Sequence, residues 1–512
     1  MNRLQRIPAS EQTFSRFLFQ NQRNRIILYL AAAAIIIQFV LFKYLYPFAN
    51  YIHGDSFNYL KAAAMNVTIN TYPIGYSKFL RLVSVFAKPD LVLVSLQYLM
   101  IQCSALFLLL TIFYFYRAGR VTQTLLLCFT VFNPLALHLG NLVSSDGIFL
   151  ALSTTWLALL LWIIHKPSNK IIAWHALVLF AAFTVRYNAL IYPLVSVLAF
   201  WLSKLPLRKK VTGLGWGLLL CCWFVGLSMI QYKKLTGYWQ FSPFSGWQLA
   251  NNALYAYREV DSADRKPVPL KFRTLDHMVR KFYDTNPNLY IGEANAAYMW
   301  MPMLPLIQYN NNLYHVKVLT EPKFKEWAGM GPFYSSYGWY IIKKYPLHFL
   351  RYFVWPNTRK YLAPPIEYLE YYNYGTTTVP ASAWQWFGYA NNQVKTRTKS
   401  NQVFILQYYP YLVSITNLII LFGLLAYLLL KGWQFNTTFH KTILLAGFVW
   451  MVNAVFTILA SSVALRFQAF PVLFNTIFAF LLIDWMIQLM HNLKDQSQQQ
   501  KTDNEYSQKV II

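Results

Sequence analysis

The sequence predicts an all-α protein that crosses a membrane about ten times. Two features of the composition lead to this fold class: 56% of the 512 residues are hydrophobic, and only 12% are charged. Soluble domains usually contain about 25% charged residues, so a soluble chain of this composition could not cover its surface. The 18% share of Phe, Trp and Tyr is typical of long membrane–water interfaces. The same figures exclude a disordered chain, a coiled coil and a disulfide-stapled scaffold.

Ten apolar runs are long enough for a spanning helix, which takes roughly 17–25 residues. The fifth and sixth runs are short and meet at Arg186, so they form the least regular pair. The runs cover 26–46, 91–116, 121–139, 147–165, 171–185, 188–203, 211–231, 403–430, 441–461 and 468–490.

Basic residues in the short connections predict which side of the membrane each connection occupies. Alternate connections contain ten basic residues and no acidic residue, and the N-terminal tail adds five arginines. Short loops rich in Lys and Arg stay on the cytoplasmic side. We therefore expect both termini in the cytoplasm and the connections 47–90 and 232–402 on the outer side.

The predicted spans divide the chain into five parts, and the longest part without a spanning run is the outer segment. A loop of that length is a domain of its own or an extension of the membrane core. The parts are a cytoplasmic N-terminal tail (1–25), a seven-span membrane module that includes the outer loop 47–90 (26–231), the outer segment (232–402), three C-terminal spans (403–490) and a cytoplasmic tail (491–512).

Two stretches of the outer segment are typical of contact with a membrane surface. Residues 341–354 mix basic with large apolar side chains, as in an amphipathic helix that lies along the surface. We expect Pro346 to kink this helix, because proline cannot donate a backbone hydrogen bond. The many aromatic residues between Tyr361 and Tyr389 are interpreted mainly as interfacial anchors.

The net charge of +27, from 45 basic and 18 acidic residues, has two components. One is the cytoplasmic excess that orients a polytopic protein. The other lies in 232–402, which contains 20 basic and 10 acidic residues and does not serve orientation. In a soluble protein such an excess would indicate nucleic acid. In this chain we interpret it as an outer face that handles phosphate, and we expect no nucleic-acid partner.

Two aspartates stand next to the outer ends of predicted spans. Asp55 follows the first span in the sequence His53-Gly54-Asp55-Ser56, and Asp146 lies between the third and fourth spans. Either carboxylate could cap the helix that follows, a position that favours Asp. Either could instead serve as a catalytic acid or base. The residues alone leave both interpretations open.

Arg186 and Arg466 are the only basic residues on the outer side apart from the two long connections. Each stands among apolar residues, where a guanidinium near hydrocarbon is costly and needs a partner. Two such arginines on one side of the membrane suit a phosphate or pyrophosphate. The alternative is that each side chain extends to the outer lipid headgroups.

In their order and their shared side, these residues resemble the polytopic GT-C glycosyltransferases, specifically the group related to protein O-mannosyltransferases and aminoarabinose lipid A transferases. The resemblance covers roughly 26–231 and returns at 441–490. Many relatives have two adjacent acids in the first outer loop, whereas Asp55 is followed here by Ser56. The matching elements are Asp55 and Tyr59, the turn Tyr72-Pro73-Ile74-Gly75, the turn Ser145-Asp146, Arg186 after the fifth span, and Arg466, Phe467 and Pro471 at the start of the last span.

The resemblance implies an enzyme that takes a sugar from a polyprenyl-phosphate carrier and transfers it, with inversion, to an acceptor on the outer side. Asp55 would be the general base, and Asp146 would be a second acid of the site. Arg186 and Arg466 would bind the donor phosphate, because the leaving group is already anionic and needs cations more than a proton.

The resemblance also implies partners and a location. His53, Tyr59 and Tyr76 would support the site, and the partners would be the donor, a glycolipid, glycan or protein acceptor, and membrane lipids. Some members of the group bind a divalent metal ion and others do not, so the metal ligands stay unknown and no cofactor is certain. We expect a bacterial inner membrane, since eukaryotic members more often have recognisable lumenal modules.

Two other classes of protein are alternatives to the enzyme. A transporter or flippase of a phosphate-bearing, lipid-linked substrate would also use paired arginines, but it needs a continuous polar path through the spans, which the sequence does not contain. A non-catalytic scaffold would explain the aromatic outer segment without explaining Asp55 and Arg186. The sequence has no Walker A loop, so we expect no coupling to nucleotide hydrolysis.

Overall fold

A computed structural model describes residues 13–52, 54–116, 118–315 and 323–510 of the chain. These residues are mainly helical, and β-pairing among them is limited to isolated bridges. Eight of their helices are long and apolar enough to cross a membrane. The prediction of an all-α polytopic membrane protein is therefore confirmed.

The first group of helices forms most of the membrane bundle. In chain order they are α1 (Phe14–Phe19), α2 (Gln22–Leu45), α3 (Asp55–Ala64), α4 (Gly75–Phe86), α5 (Asp90–Phe115), α6 (Arg120–Val131), α7 (Pro134–Gly140), α8 (Ser145–His165), α9 (Asn169–Val185), α10 (Tyr192–Leu202) and α11 (Leu207–Thr236).

The next helices belong to the extramembrane segment, by which we mean residues 237–402, and among its described residues no helix is a candidate span. They are α12 (Pro243–Arg258), α13 (Arg273–Thr285), α14 (Ala297–Trp300), α15 (Pro305–Leu313), α16 (Phe324–Gly329), α17 (Gly331–Lys344), α18 (Pro346–Phe349), α19 (Trp355–Leu362) and α20 (Ala381–Phe387). Three long helices then complete the bundle: α21 (Tyr409–Leu429), α22 (Thr437–Ala460) and α23 (Ala469–Val510).

The candidate spans are α2, α5, α6 together with α7, α8, α11, α21, α22 and α23. Two shorter apolar helices, α9 and Tyr187–Leu202, lie where the sequence predicts the fifth and sixth spans. Arg186 separates them with an extended backbone, at φ −149° and ψ 144°. The irregular pair that the sequence predicts is therefore present as two short helices around this arginine.

Three boundaries differ from the sequence prediction, two of them at prolines. The predicted span 121–139 is two helices, because α6 ends at Val131 and α7 begins at Pro134, which has no N–H to continue a helix. Pro346 does not kink a helix over 341–354 but begins α18, after α17 has ended. The last helix, α23, continues through the predicted cytoplasmic tail to Val510.

The predicted outer segment 232–402 divides between two hydrophobic cores. Its first part, from Tyr232 to Phe353, forms a core of its own around α12 and α17. Its second part contributes residues from Leu369 to Val394 to the core of the membrane bundle. The sequence left open whether this segment is a domain of its own or an extension of the membrane core. The structure contains both: the first part has its own core, and the second part extends the bundle.

Glycines allow α12 and α17 to approach each other closely. A Cβ atom at Gly246 would lie 2.0 Å from the carbonyl oxygen of Gly331. A Cβ atom at Gly338 would lie 2.8 Å from the backbone nitrogen of Ala250. Because the obstructing atoms belong to the backbone, a larger residue at either glycine must push the helices apart.

We predict that Gly246→Ala destabilises the protein by about 1–3 kcal/mol, the usual cost of overpacking a core. The matched control is Gly215→Ala in α11, where no atom of the described residues lies within 4 Å of the added Cβ. The midpoint of thermal unfolding of the purified protein should fall for Gly246→Ala only. Equal midpoints for the two variants would contradict the close packing of α12 on α17.

Candidate active site

Arg466 lies between the two aspartates that the sequence singles out. Its Nη2 donates to Oδ2 of Asp55 at 2.7 Å, and its Nη1 donates to Oδ2 of Asp146 at 3.2 Å. The other oxygen of Asp146 accepts a hydrogen bond from Nη1 of Arg186. The four predicted residues therefore converge in a row of alternating charge, which we call the ionic row: Asp55, Arg466, Asp146 and Arg186.

The local chain conformation directs Asp55 into the ionic row. Gly54 has a φ of 87°, a conformation that favours glycine, and Asp55 is the first residue of α3. The carboxylate accepts hydrogen bonds from the hydroxyl of Tyr72 at 2.6 Å and from Arg466. Its contacts are therefore with side chains distant in sequence, and helix capping does not account for them.

Asp146 is more enclosed than Asp55. It is the second residue of α8, and its Oδ2 also accepts a hydrogen bond from the hydroxyl of Ser144 at 2.6 Å. Its side chain is 1% exposed, whereas that of Asp55 is 19% exposed. Because its side chain is the more exposed of the two, Asp55 is the carboxylate that a substrate can reach.

The two arginines turn inward and do not extend to lipid headgroups. The side chains of Arg186 and Arg466 are 15% and 6% exposed. The ring of Phe467 lies against both guanidinium groups, with its centroid 4.9 Å and 4.3 Å from their Cζ atoms. Nε of Arg466 is buried and has no hydrogen-bond partner among the described residues. The headgroup alternative for these arginines is therefore not seen in the structure.

A small cavity lies beside the ionic row, between α8 and the start of α23. Its volume of about 10 Å³ admits one water molecule. A phosphate is larger than this space, so it could contact both guanidinium groups only after side chains of the row move apart. The cavity is lined by Asp146, Phe149, Leu150, Arg186, Arg466, Phe467, Ala469 and Phe470.

The three predicted supporting residues differ in their relation to the row. Tyr59 shares a hydrogen bond of 3.0 Å with the hydroxyl of Ser145, next to Asp146. Tyr76 is fully buried, donates to Oε1 of Gln97 at 2.8 Å and lies against the ring of Tyr59. His53 lies outside the described residues.

Tyr72 contacts the site directly, although the sequence indicated it only as part of a turn motif. Burial raises the pKa of its hydroxyl well above the ordinary value, and the charge of Asp55 raises that pKa further. The hydroxyl therefore keeps its proton and donates it in the hydrogen bond to Asp55.

Residues 365–374 of the extramembrane segment cover Arg466, which the sequence did not predict. The carbonyl oxygen of Pro365 accepts a hydrogen bond of 2.8 Å from the backbone of Leu465. The ring centroid of Tyr368 lies 4.9 Å from Cζ of Arg466. Tyr368 has a φ of 69°, and two further residues of the stretch also have positive φ. Strained backbone of this kind is concentrated at functional sites.

Two asparagines of the extramembrane segment hold the end of α22, just before the loop that leads to Arg466. Both side-chain amides donate to carbonyl groups that the end of a helix leaves without partners. Asn252 donates to Leu459 and Ala460 at 3.4 and 3.3 Å, and Asn357 donates to Ile458 and Ser461 at 3.1 and 2.9 Å.

The donor set of the row does not suit a divalent metal ion held by both aspartates. Within the described ranges, no three His, Cys, Asp or Glu side chains are grouped as a metal site. The guanidinium of Arg466 already stands between Asp55 and Asp146. A metal ion bound by both carboxylates would have to displace it.

The fold and the site define a class: an all-α membrane protein with a buried row of two aspartates and two arginines at one end of its spans. Comparison with known proteins finds no family model, no curated protein and no solved structure that matches the chain significantly. A functional assignment therefore depends on the geometry of the row and on the sequence pattern.

We predict that Arg466→Ala destabilises the protein by about 3–5 kcal/mol, because it removes the cationic partner of Asp55 and one of the two arginines paired with the buried Asp146. The control is Arg359→Ala, which removes an ion pair to Glu293 of similar length, 2.7 Å, whose side chains are 57% and 55% exposed. An exposed pair contributes below about 1 kcal/mol. Comparable losses in the two variants, measured by thermal unfolding, would contradict the structural role of the ionic row.

Proposed function

We propose that the chain is a glycosyltransferase of the GT-C type, similar to the protein O-mannosyltransferase and aminoarabinose lipid A transferase group. It transfers a sugar from a polyprenyl-phosphate donor to an acceptor hydroxyl with inversion. In this proposal the two short helices around Arg186 complete ten spans. The ionic row then lies at the outer face of a bacterial inner membrane, with both termini in the cytoplasm.

The observation that supports the proposal most strongly is that Asp55, the more exposed of the two carboxylates, lies in one ionic row with the guanidinium groups of Arg466 and Arg186. An inverting transfer needs one base on the acceptor side and positive charge at the leaving group. Asp55 is 19% exposed and has a fixed orientation through Tyr72, so it suits the base. Arg186 and Arg466 suit the phosphate, because planar guanidinium groups bind phosphate oxygens in pairs.

Donor binding would rearrange the row. In the structure Arg466 binds both carboxylates, and the adjacent cavity admits only a water molecule. A donor phosphate competes with Asp55 for Nη2 of Arg466. Once the phosphate takes that position, the carboxylate of Asp55 is released from Arg466 and can accept the proton of the acceptor hydroxyl. Asp146 keeps the two arginines in place during this exchange.

Sugar transfer forms one bond at the anomeric carbon and breaks another. The acceptor oxygen forms a bond to the anomeric carbon of the sugar while its proton passes to the carboxylate of Asp55. The bond between the anomeric carbon and the phosphate oxygen breaks, and polyprenyl phosphate leaves with the bonding electrons. Arg186 and Arg466 stabilise the charge that develops on the phosphate.

We predict that Asp55→Asn lowers sugar transfer by a factor of about 10² to 10⁴, the usual contribution of a general base. The matched control is Asp284→Asn, since Asp284 also pairs with an arginine, Arg265, at 2.8 Å but lies away from the row. Mass spectrometry of envelope glycolipids and glycoproteins, from a deletion strain complemented with each variant, measures the transfer.

Wild-type levels of the modified product with Asp55→Asn would overturn the assignment of the base. If the deletion strain lacks no glycosylated product but accumulates a lipid-linked sugar on one side of the membrane, the result would favour the transporter alternative. A normal product with Asp284→Asn confirms that the loss is specific to the row.

A further inference from the structure

Residues 346–362 form one helix in which the π-helical turn Leu350–Val354 joins α18 to α19. One side of the helix is buried, with Phe353 and Asn357 at 0% exposure. The other side contains three large apolar side chains that no described part of the chain covers. We call these residues the apolar stripe: Leu347, 75% exposed, Leu350, 53% exposed, and Trp355, 61% exposed.

The π-turn aligns the two ends of the apolar stripe. An ideal α-helix rotates by about 100° per residue, so Trp355 would lie about 80° away from Leu347 around the axis. A π-turn takes in about one additional residue, which reduces this difference to about 20°. The irregular turn therefore places Trp355 on the same face as Leu347, where a regular helix would turn it aside.

Contacts place this helix where two candidate spans end. The side chain of Asn357 binds carbonyl groups at the end of α22, and the carbonyl oxygen of Leu362 accepts a 3.0 Å hydrogen bond from Ser414 in α21. The adjacent ends of these spans also expose apolar side chains: Tyr411, 71%, Val455, 54%, and Leu459, 45%.

The charged residues beside the apolar stripe indicate what kind of partner covers it. Residues 341–362 contain no acidic residue. Lys343, Lys344 and Arg351 are exposed beside the stripe, and Lys343 and Arg351 lie against the rings of Trp339 and Tyr352. Apolar side chains flanked by bases and aromatic rings match the layered chemistry of a lipid surface, with acyl chains below anionic headgroups.

We propose that the apolar stripe docks on the membrane surface beside α21 and α22 and that the adjacent bases bind anionic lipid headgroups. Leu347, Leu350 and Trp355 insert among the acyl chains, while Lys344 and Arg351 remain at the level of the lipid phosphates. The residues that cover Arg466 follow directly after this helix. Docking therefore fixes the height of that cover above the membrane, whatever reaction the site performs.

Site-directed spin labelling of the full chain in lipid vesicles tests this proposal. The four cysteines are free and can be replaced before single cysteines are introduced. Labels at 347, 350 and 355 should collide more often with oxygen, which dissolves in acyl chains, than with a water-soluble nickel chelate. The order should reverse at the control position 344, an exposed residue at the end of α17. Unchanged thermal unfolding would show that each labelled protein is folded.

Nickel accessibility at 347 and 355 equal to that at 344 would overturn the docking. Dipolar broadening between labels at 347, lost on dilution with unlabelled protein, would also overturn it, because a second copy of the chain would then cover the stripe. The lipid requirement is tested separately: the label at 347 should lie deeper with phosphatidylglycerol present than in phosphatidylcholine alone. Equal depths would exclude binding of anionic headgroups.

Discussion

The guanidinium of Arg466, buried between Asp55 and Asp146, fixes the arrangement of the membrane bundle at one of its ends. Each of these charges costs several kcal/mol to remove from water, so none can lose its partner cheaply. The partners come from the start of α3, the start of α8 and the turn before α23, which are far apart in sequence. These three elements must therefore meet in one register whenever the bundle is folded.

The extramembrane segment also contributes contacts that hold Arg466 in place. Asn252 and Asn357 hold the end of α22, and the stretch around Tyr368 covers the guanidinium. The segment thus has its own core around α12 and α17 and still contributes contacts to the site. In our proposal, binding of a donor phosphate loosens only one link of the row, between Arg466 and Asp55, and the remaining links keep the two arginines in position.

Much of the membrane bundle was predictable, because a spanning helix needs an apolar run of about 20 residues and such a run is visible in the sequence. The two arginines of the row were also predictable, since a charged residue in an apolar context is costly and needs a partner. The pairing itself was not predictable, because a carboxylate before a helix can cap it or face a distant arginine, as Asp55 does. The break before Pro134 depends on local backbone conformation, and the position of Tyr368 over Arg466 depends on contacts distant in sequence. The pattern of apolar residues encodes neither feature.

The most direct test of the account is a structure of the protein with polyprenyl phosphate bound. We predict that phosphate oxygens contact Arg186 and Nη2 of Arg466, and that Asp55 moves out of hydrogen-bond distance of Arg466 while Asp146 keeps both arginines. A phosphate bound elsewhere, with the 2.7 Å contact between Arg466 and Asp55 intact, would contradict the proposed role of the row.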